Sequence, residues 1–308
     1  MAKTNINFLK YKYFSYGLSS VIILAGIIFF FVLGGFNLGV DFTGGTIIHL
    51  KLEDGYLMDD VREVLEPFGL SDAALQRAGG AGDISGGSEV VIKVPSLDES
   101  TRNAIIDAFM ERYGIKEADV LRMDNVGSVI GGELSREAVL SLIIATAGII
   151  AYIAIRFEFR FALSGVVALL HDAVIMLAFF TIFQIEMSSS FIAAILSIVG
   201  YSLNNTIVIY DRIRENLKFK RKRSINDLVN DSLNETLNRT LYTSATTLFV
   251  LISLFLAFNY FIGGMDLKAF SLALLIGVIS GAYSSLFIAG ALWVSWRKKD
   301  AKEEKYVG

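Results

Sequence analysis

The sequence predicts a polytopic α-helical membrane protein with six transmembrane helices and a small α+β domain between the first two. Three observations predict it. Hydrophobic residues fill 54% of the 308 positions and charged residues only 19%, against about a quarter charged in soluble domains. Five charge-free runs lie between Lys12 and Asp41, Glu137 and Arg156, Glu186 and Asp211, Arg239 and Asp266, and Lys268 and Arg297. Each is long enough to cross a bilayer at about 1.5 Å per helical residue. A sixth run, Phe161 to Ile185, is broken only by the adjacent His171 and Asp172, so an ionisable pair falls inside the hydrocarbon.

The expected layout runs as follows. Residues 1–13 are a cytoplasmic N-terminus, 14–36 the first transmembrane helix, and 37–135 an extracytoplasmic domain. Helices two, three and four occupy 136–155, 161–184 and 188–210; a basic cytoplasmic segment fills 211–238; helices five and six occupy 239–259 and 268–296, and 297–308 is a cytoplasmic tail. Lys and Arg in the flanking loops set the orientation. Lys3, Lys10 and Lys12, then Arg156 and Arg160, then Arg212, Arg214, Lys218, Lys220, Arg221, Lys222, Arg223 and Arg239, then Arg297, Lys298, Lys299, Lys302 and Lys305 share one side if the helices alternate. Both termini are therefore expected in the cytoplasm. Residues 35–135 carry 18 acidic and 8 basic side chains, a net charge of -10, as suits a translocated domain. The first apolar run exceeds the roughly 7 to 15 residues of a signal-peptide core and reads as an uncleaved anchor.

Inside 37–135 the pattern changes period. Residues 46–52 alternate as a strand, 58–67 place Val61, Val64 and Leu65 on one helical face, and 73–78 and 89–94 read as strands. Residues 97–113 form a helix grouping Ile105, Ile106 and Phe109, and 120–126 close with a strand. The order β-α-β-β-α-β is that of a ferredoxin-like split βαβ unit. His49, between Ile48 and Leu50, is expected at a solvent-facing or edge position. In the segment 211–238, Ile213, Leu217, Ile225, Leu228, Val229 and Leu233 recur at near-helical spacing. Part of it is expected along the cytoplasmic membrane surface, its basic cluster either meeting anionic lipids or serving only to set orientation.

Several chemistries are excluded. With no Cys and two His there is no disulfide, thiolate site, cysteine nucleophile or conventional zinc site. The glycine-rich stretch Gly79 to Gly87 has no Lys-Ser/Thr behind it, so it is not a P-loop. No enzyme activity and no nucleic-acid partner are expected, and energy must come from outside a nucleotide site.

The remaining candidates are residues that are costly in a bilayer. Asp172 lies about half-way through its run, where an ionised carboxylate costs ~3 kcal/mol on insertion scales. It reads as an ion-pathway group or as a hydrogen-bonded tie between helices. His171 is about 100° around the helix from it and is equally a tie or a proton relay. Ala193, Ser197, Gly200 and Asn204 make a small or polar stripe on helix four, followed by Asn205 and, at the cytoplasmic end, Asp211. Arg239 opens helix five amid hydroxylated residues and either pairs an acid or snorkels to headgroups. Gly277 and Gly281, four apart, form a packing face on helix six. Asp41, Gly44 and Gly45 mark a turn where helix one emerges.

These residues fall in motifs that resemble the SecF family, the smaller membrane subunit of the bacterial SecD-SecF export complex. Gly39-Val40-Asp41-Phe42-Thr43-Gly44-Gly45-Thr46 resembles its motif after helix one, and Val126-Gly127 with Gly131-Gly132-Glu133-Leu134 the one before helix two. Leu170-His171-Asp172, Gly200-Tyr201-Ser202-Leu203-Asn204, Tyr210-Asp211-Arg212-Ile213-Arg214-Glu215-Asn216, Asn238-Arg239-Thr240 and Gly281-Ala282-Tyr283-Ser284-Ser285 extend the match along the chain. The resemblance implies a six-helix half of an RND-type fold completed by SecD beside the SecYEG translocon. It implies export of preproteins driven by a proton or sodium gradient, without a cofactor, and SecA, YajC and YidC as further partners. Asp172, His171, Asn204, Asn205, Asp211 and Arg239 would then line the ion pathway. Two positions depart from the family pattern. Ser128 stands where Pro is usual, and Asn205 where relatives carry an Asp that works with the helix-five Arg. An amide releases no proton at physiological pH, which leaves three accounts: transport through SecD or Asp172, a sodium ion with amide oxygens as ligands, or an Asp to Asn change that traps one state. A non-conducting partner of SecD and half of a small-molecule exporter are the competing readings.

Overall fold

Among the described residues of the computed structural model, six helical stretches are long and apolar enough to cross a membrane: Phe8–Val32, Val129–Arg156, Phe159–Ile182, Ser189–Lys218, Ile225–Ala257 and Asp266–Arg297. The structure describes residues 6–52, 55–78, 88–156, 158–218, 224–259 and 265–303. The glycine-rich stretch 79–87 and residues 219–223 of the basic cluster lie outside them. The long helices are α1 (Lys12–Val32), α5 (Ser128–Arg156), α6 (Phe159–Ile182), α7 (Ser189–Lys218), α8 (Ile225–Ala257) and α9 (Met265–Ser284). A π-helical turn, Ser285–Ala289, joins α9 to α10 (Gly290–Glu303).

The expected spans sit inside longer helices. Helix two, expected from residue 136, starts at Ser128. The segment 211–238 is largely helical among its described residues. α7 continues to Lys218 and α8 begins at Ile225, capped by the Ser224 hydroxyl on the backbone N–H of Asp227. The cause is packing. Ile213, Val229 and Leu233 are fully buried in one cluster with Phe8, Tyr210 and Trp293, so their apolar stripe meets protein instead of lipid. Asn230 and Asn234 of α8 hold the start of the chain: their carbonyls accept from Phe8 N and Ile6 N, and Asn234 Nδ2 donates back to Ile6 O.

Between α1 and α5 lie the helical turn α2 (Val40–Thr43) and then β1 (Gly45–Lys51), α3 (Met58–Leu65), β2 (Ala74–Ala78), β3 (Glu89–Val94), α4 (Glu99–Tyr113) and β4 (Val120–Val126). The four strands form one sheet in the order β2-β3-β1-β4 with every neighbouring pair antiparallel. Ile48 stands opposite Ile92 on one side and Met123 on the other. Alternation sends Ile48, Leu50, Val90 and Ile92 into a core with Val61 and Leu65 of α3 and Ile105 and Phe109 of α4. Ile47 and Val91 point the other way, against Val40 of α2. His49 corrects the expectation of an edge: β1 is flanked on both sides, and His49 Nε2 meets Glu89 Oε2 at 2.9 Å. Edge status depends on sheet order, which alternation within one strand does not report.

Glycines set how closely the bundle helices approach. A Cβ on Gly26 would lie 2.5 Å from Ala178 Cβ, and one on Gly277 would lie 2.3 Å from Ile198 Cγ1. Gly200, on the same α7, has nothing within 4 Å of that position. Gly277→Ala therefore gains about 1 kcal/mol of helix propensity but loses about 1–3 kcal/mol to overpacking against a β-branched side chain. Thermal unfolding in detergent should show a lower midpoint for Gly277→Ala and an unchanged or higher one for Gly200→Ala.

Candidate functional site

Asp172 of α6 is fully buried. A charge taken from water costs several kcal/mol unless its oxygens are bonded, and three serine hydroxyls from two other helices supply the bonds. Ser202 of α7 donates to Oδ2 at 2.6 Å, Ser284 of α9 donates to Oδ2 at 2.8 Å, and Ser280 of α9 donates to Oδ1 at 2.7 Å. His171 Nδ1 reaches Oδ1 at 3.1 Å. Four groups thus converge on one carboxyl.

The local reasons are legible. Ser280 and Ser284 are one turn apart, so they share a face of α9. Gly277 and Gly281 let α7 come close enough for that face to reach α6: a Cβ on Gly281 would stand 3.0 Å from Ser202 Cβ. Immediately after Ser284 the helix widens into the π-helical turn, a distortion frequent at functional sites. There Ser285 Oγ bonds Thr206 Oγ1 of α7 at 3.0 Å.

His171 links this cluster to α1. Its Nε2 lies 2.9 Å from Ser19 Oγ, Ser19 lies 3.3 Å from Tyr283 OH, and Tyr283 OH donates to Ser15 O at 2.7 Å. With Asp172 accepting, Nδ1 carries a hydrogen. Nε2 and the Ser19 hydroxyl complete the link from Asp172 to α1.

The other expected pathway residues separate. Asn205 is 5% exposed, nearly one turn past Ser202 on α7, and its buried Nδ2 has no hydrogen-bond partner. Asn204 faces outward. Asp211 is half-exposed two turns before the end of α7, with Arg156 Nη2 at 3.8 Å. Arg239 is exposed on α8 and is not among the groups bonded to Asp172. Adjacent helical residues differ by about 100° in direction, which is why Asn204 and Asn205 part. Sequence reasoning missed Ser15, Ser19, Ser202, Ser280 and Ser284 as site residues; for four of them the signal available was a four-residue spacing within apolar helices, Ser15 with Ser19 and Ser280 with Ser284.

The turn motif has an unforeseen partner. Asp41 Oδ2 accepts from the backbone N–H of Ser189 at 2.8 Å and from its hydroxyl at 2.6 Å, so it caps the first turn of α7 rather than its own turn. Gly44 and Gly45 have φ of 72° and 152°, and a Cβ on Gly45 would stand 2.7 Å from Val94 O. A Cβ on Gly131 of α5 would come within 2.8 Å of Gly44 N. The two motifs that flank the sheet domain are thus in contact.

Comparison with known proteins places this architecture. The model for the C-terminal part of the protein export membrane protein SecD/SecF matches residues 106–299, and the SecD/SecF GG motif matches residues 29–54. The chain is 38% identical to protein translocase subunit SecF of Alicyclobacillus acidocaldarius over 93% of this chain and 91% of that one. It is 39% identical to the SecF of Acidaminococcus fermentans over 94% of this chain and 97% of that one. The crystal structure of SecDF, a translocon-associated membrane protein from Thermus thermophilus, superimposes with a TM-score of 0.84 at 33% identity, covering 96% of this chain. This chain spans only 39% of that SecDF chain. The protein belongs to the SecF family of protein translocase subunits, within the SecD/SecF export proteins.

Removing one serine from the cluster leaves a buried carboxylate short of a donor, at about 1–3 kcal/mol. Ser284→Ala should lower the thermal midpoint of the purified protein. Ser253→Ala, whose exposed hydroxyl bonds Phe249 O of its own helix, should leave it within error.

Proposed function

We propose that this chain forms one half of a two-subunit accessory complex that couples an ion gradient to preprotein export. SecD supplies the other half, and the SecYEG translocon is the channel served. The observation that carries the reading is the Asp172 cluster, in which one buried carboxyl joins α6 to serines of α7 and α9. Protonation, or an approaching sodium ion, changes what those serines can bond, and so changes how three helices hold together. The chemistry is electrostatic: no covalent step and no cofactor are involved.

The positive-inside distribution of Lys and Arg supports cytoplasmic termini and an extracytoplasmic sheet domain. The element order and the β2-β3-β1-β4 sheet support a ferredoxin-like assignment for that domain. SecA, YajC, YidC and anionic lipids complete the proposed surroundings.

A non-conducting role beside SecD has one observation in its favour: Asn205 does not titrate, and Arg239 makes no bond to Asp172. The exporter reading draws on the cleft of about 860 Å³ between the sheet and the loop carrying Gln184 and Glu186, a size that suits small molecules. Family membership weighs against it.

Membrane vesicles carrying this chain with its SecD partner separate the first two readings. Asp172→Asn keeps a side chain that can still bond serines but removes the charge. Gradient-stimulated preprotein export should fall by an order of magnitude or more while the protein accumulates normally. Undiminished stimulation in that variant would establish the non-conducting role.

A further inference from the structure

Besides packing its turn against α5, the sheet domain grips both helices that donate serines to Asp172. At the start of α7, Asp41 accepts from the N–H and hydroxyl of Ser189. Gly39 N donates to Met187 O at 2.9 Å and Met187 N donates to Asn37 O at 2.8 Å. Lys93 of β3 pairs with Glu186 just before the helix. At the start of α9, Arg122 of β4 donates to Asp266 at 2.7 Å and also pairs with Asp124. Lys93 feels the carboxylates of both grips. Burial pushes its ammonium below the usual lysine range, while the carboxylates of Asp266 and Asp41 act the other way.

We propose that Asp41 and Arg122 are positioning residues for ion coupling: Asp41 fixes the outer end of α7 to the sheet domain and Arg122 links that of α9 to it more loosely, so that a change at Asp172 is delivered to the sheet. This inference rests on the ion-coupling reading given above. From Ser189 to Ser202 and from Asp266 to Ser280 is about 20 Å along a helix, short enough for each to move as a rigid rod. The grips are unequal. Around α7 they include backbone hydrogen bonds and a partly buried ion pair, with side chains 16% and 23% exposed. At α9 the Arg122–Asp266 pair is 49% and 36% exposed, and such pairs are screened and weak. α7 is accordingly the fixed rod and α9 the one that shifts when its two serines release Asp172.

The test uses the complete complex in vesicles and reads the fraction of preprotein export that depends on the gradient. Asp41→Ala should cut that fraction about fivefold, within the range single positions exert on coupling. Asp41→Asn, whose amide oxygen still accepts from Ser189, should keep more than about half of it. Arg122→Asp and Asp266→Arg should each lower it, and the double exchange should restore it. Full coupling in Asp41→Ala, an Asn variant as impaired as Ala, or an exchange that fails to restore would each overturn the proposal. If Asp41→Ala does not accumulate in the membrane, the charge exchange decides. Asp172→Asn runs alongside: coupling retained there refutes the ion-coupling reading itself, whereas coupling lost there and kept in Asp41→Ala refutes only the positioning roles.

Discussion

The buried carboxyl of Asp172 is the constraint on which the bundle depends. An acid in the middle of an apolar helix is tolerated only where its oxygens are satisfied, and a single helix cannot satisfy them. The donors come from α7 and α9, and this requires both to approach α6 at the same depth. Close approach needs small residues, and Gly277 and Gly281 provide them where α9 crosses α7. Charge, serine placement and glycine placement are therefore one requirement seen at three levels.

The same logic organises the junction outside the bundle. The turn containing Asp41, Gly44 and Gly45 packs against the first turn of α5 and caps α7. A side chain on Gly45 or Gly131 would meet backbone atoms, which move far less readily than the end of a flexible side chain. A short motif thus joins the sheet to two helices without relying on a large apolar interface.

Much of this was legible in the sequence. Charge-free runs mark helices because lipid admits no charge cheaply, and the strands at 89–94 and 120–126 were placed to the residue because β-branched alternation is a local property. Asp172 declared itself by its cost. What was not legible is pairing at long range. Nothing near Asp41 indicates that its partner is Ser189, 148 positions away, and nothing near His49 reveals that its strand is flanked on both sides. Helix rotation was the other gap. Arg239 and Asn204 looked like neighbours of the acid because all three are polar in apolar surroundings, but which way each faces is set by how α7 and α8 pack. The apolar stripe of Ile213, Val229 and Leu233 was legible as a stripe, but not that protein covers it, because an apolar stripe looks alike whether lipid or protein covers it.

The central claim is that Asp172 changes state when the gradient is applied. The most direct measurement is an infrared difference spectrum of the assembled complex in vesicles, recorded on imposing a proton gradient and, separately, a sodium gradient. The account predicts a change in the carboxyl region with at least one ion that disappears in Asp172→Asn. A spectrum with no Asp172-dependent change under either gradient would contradict it.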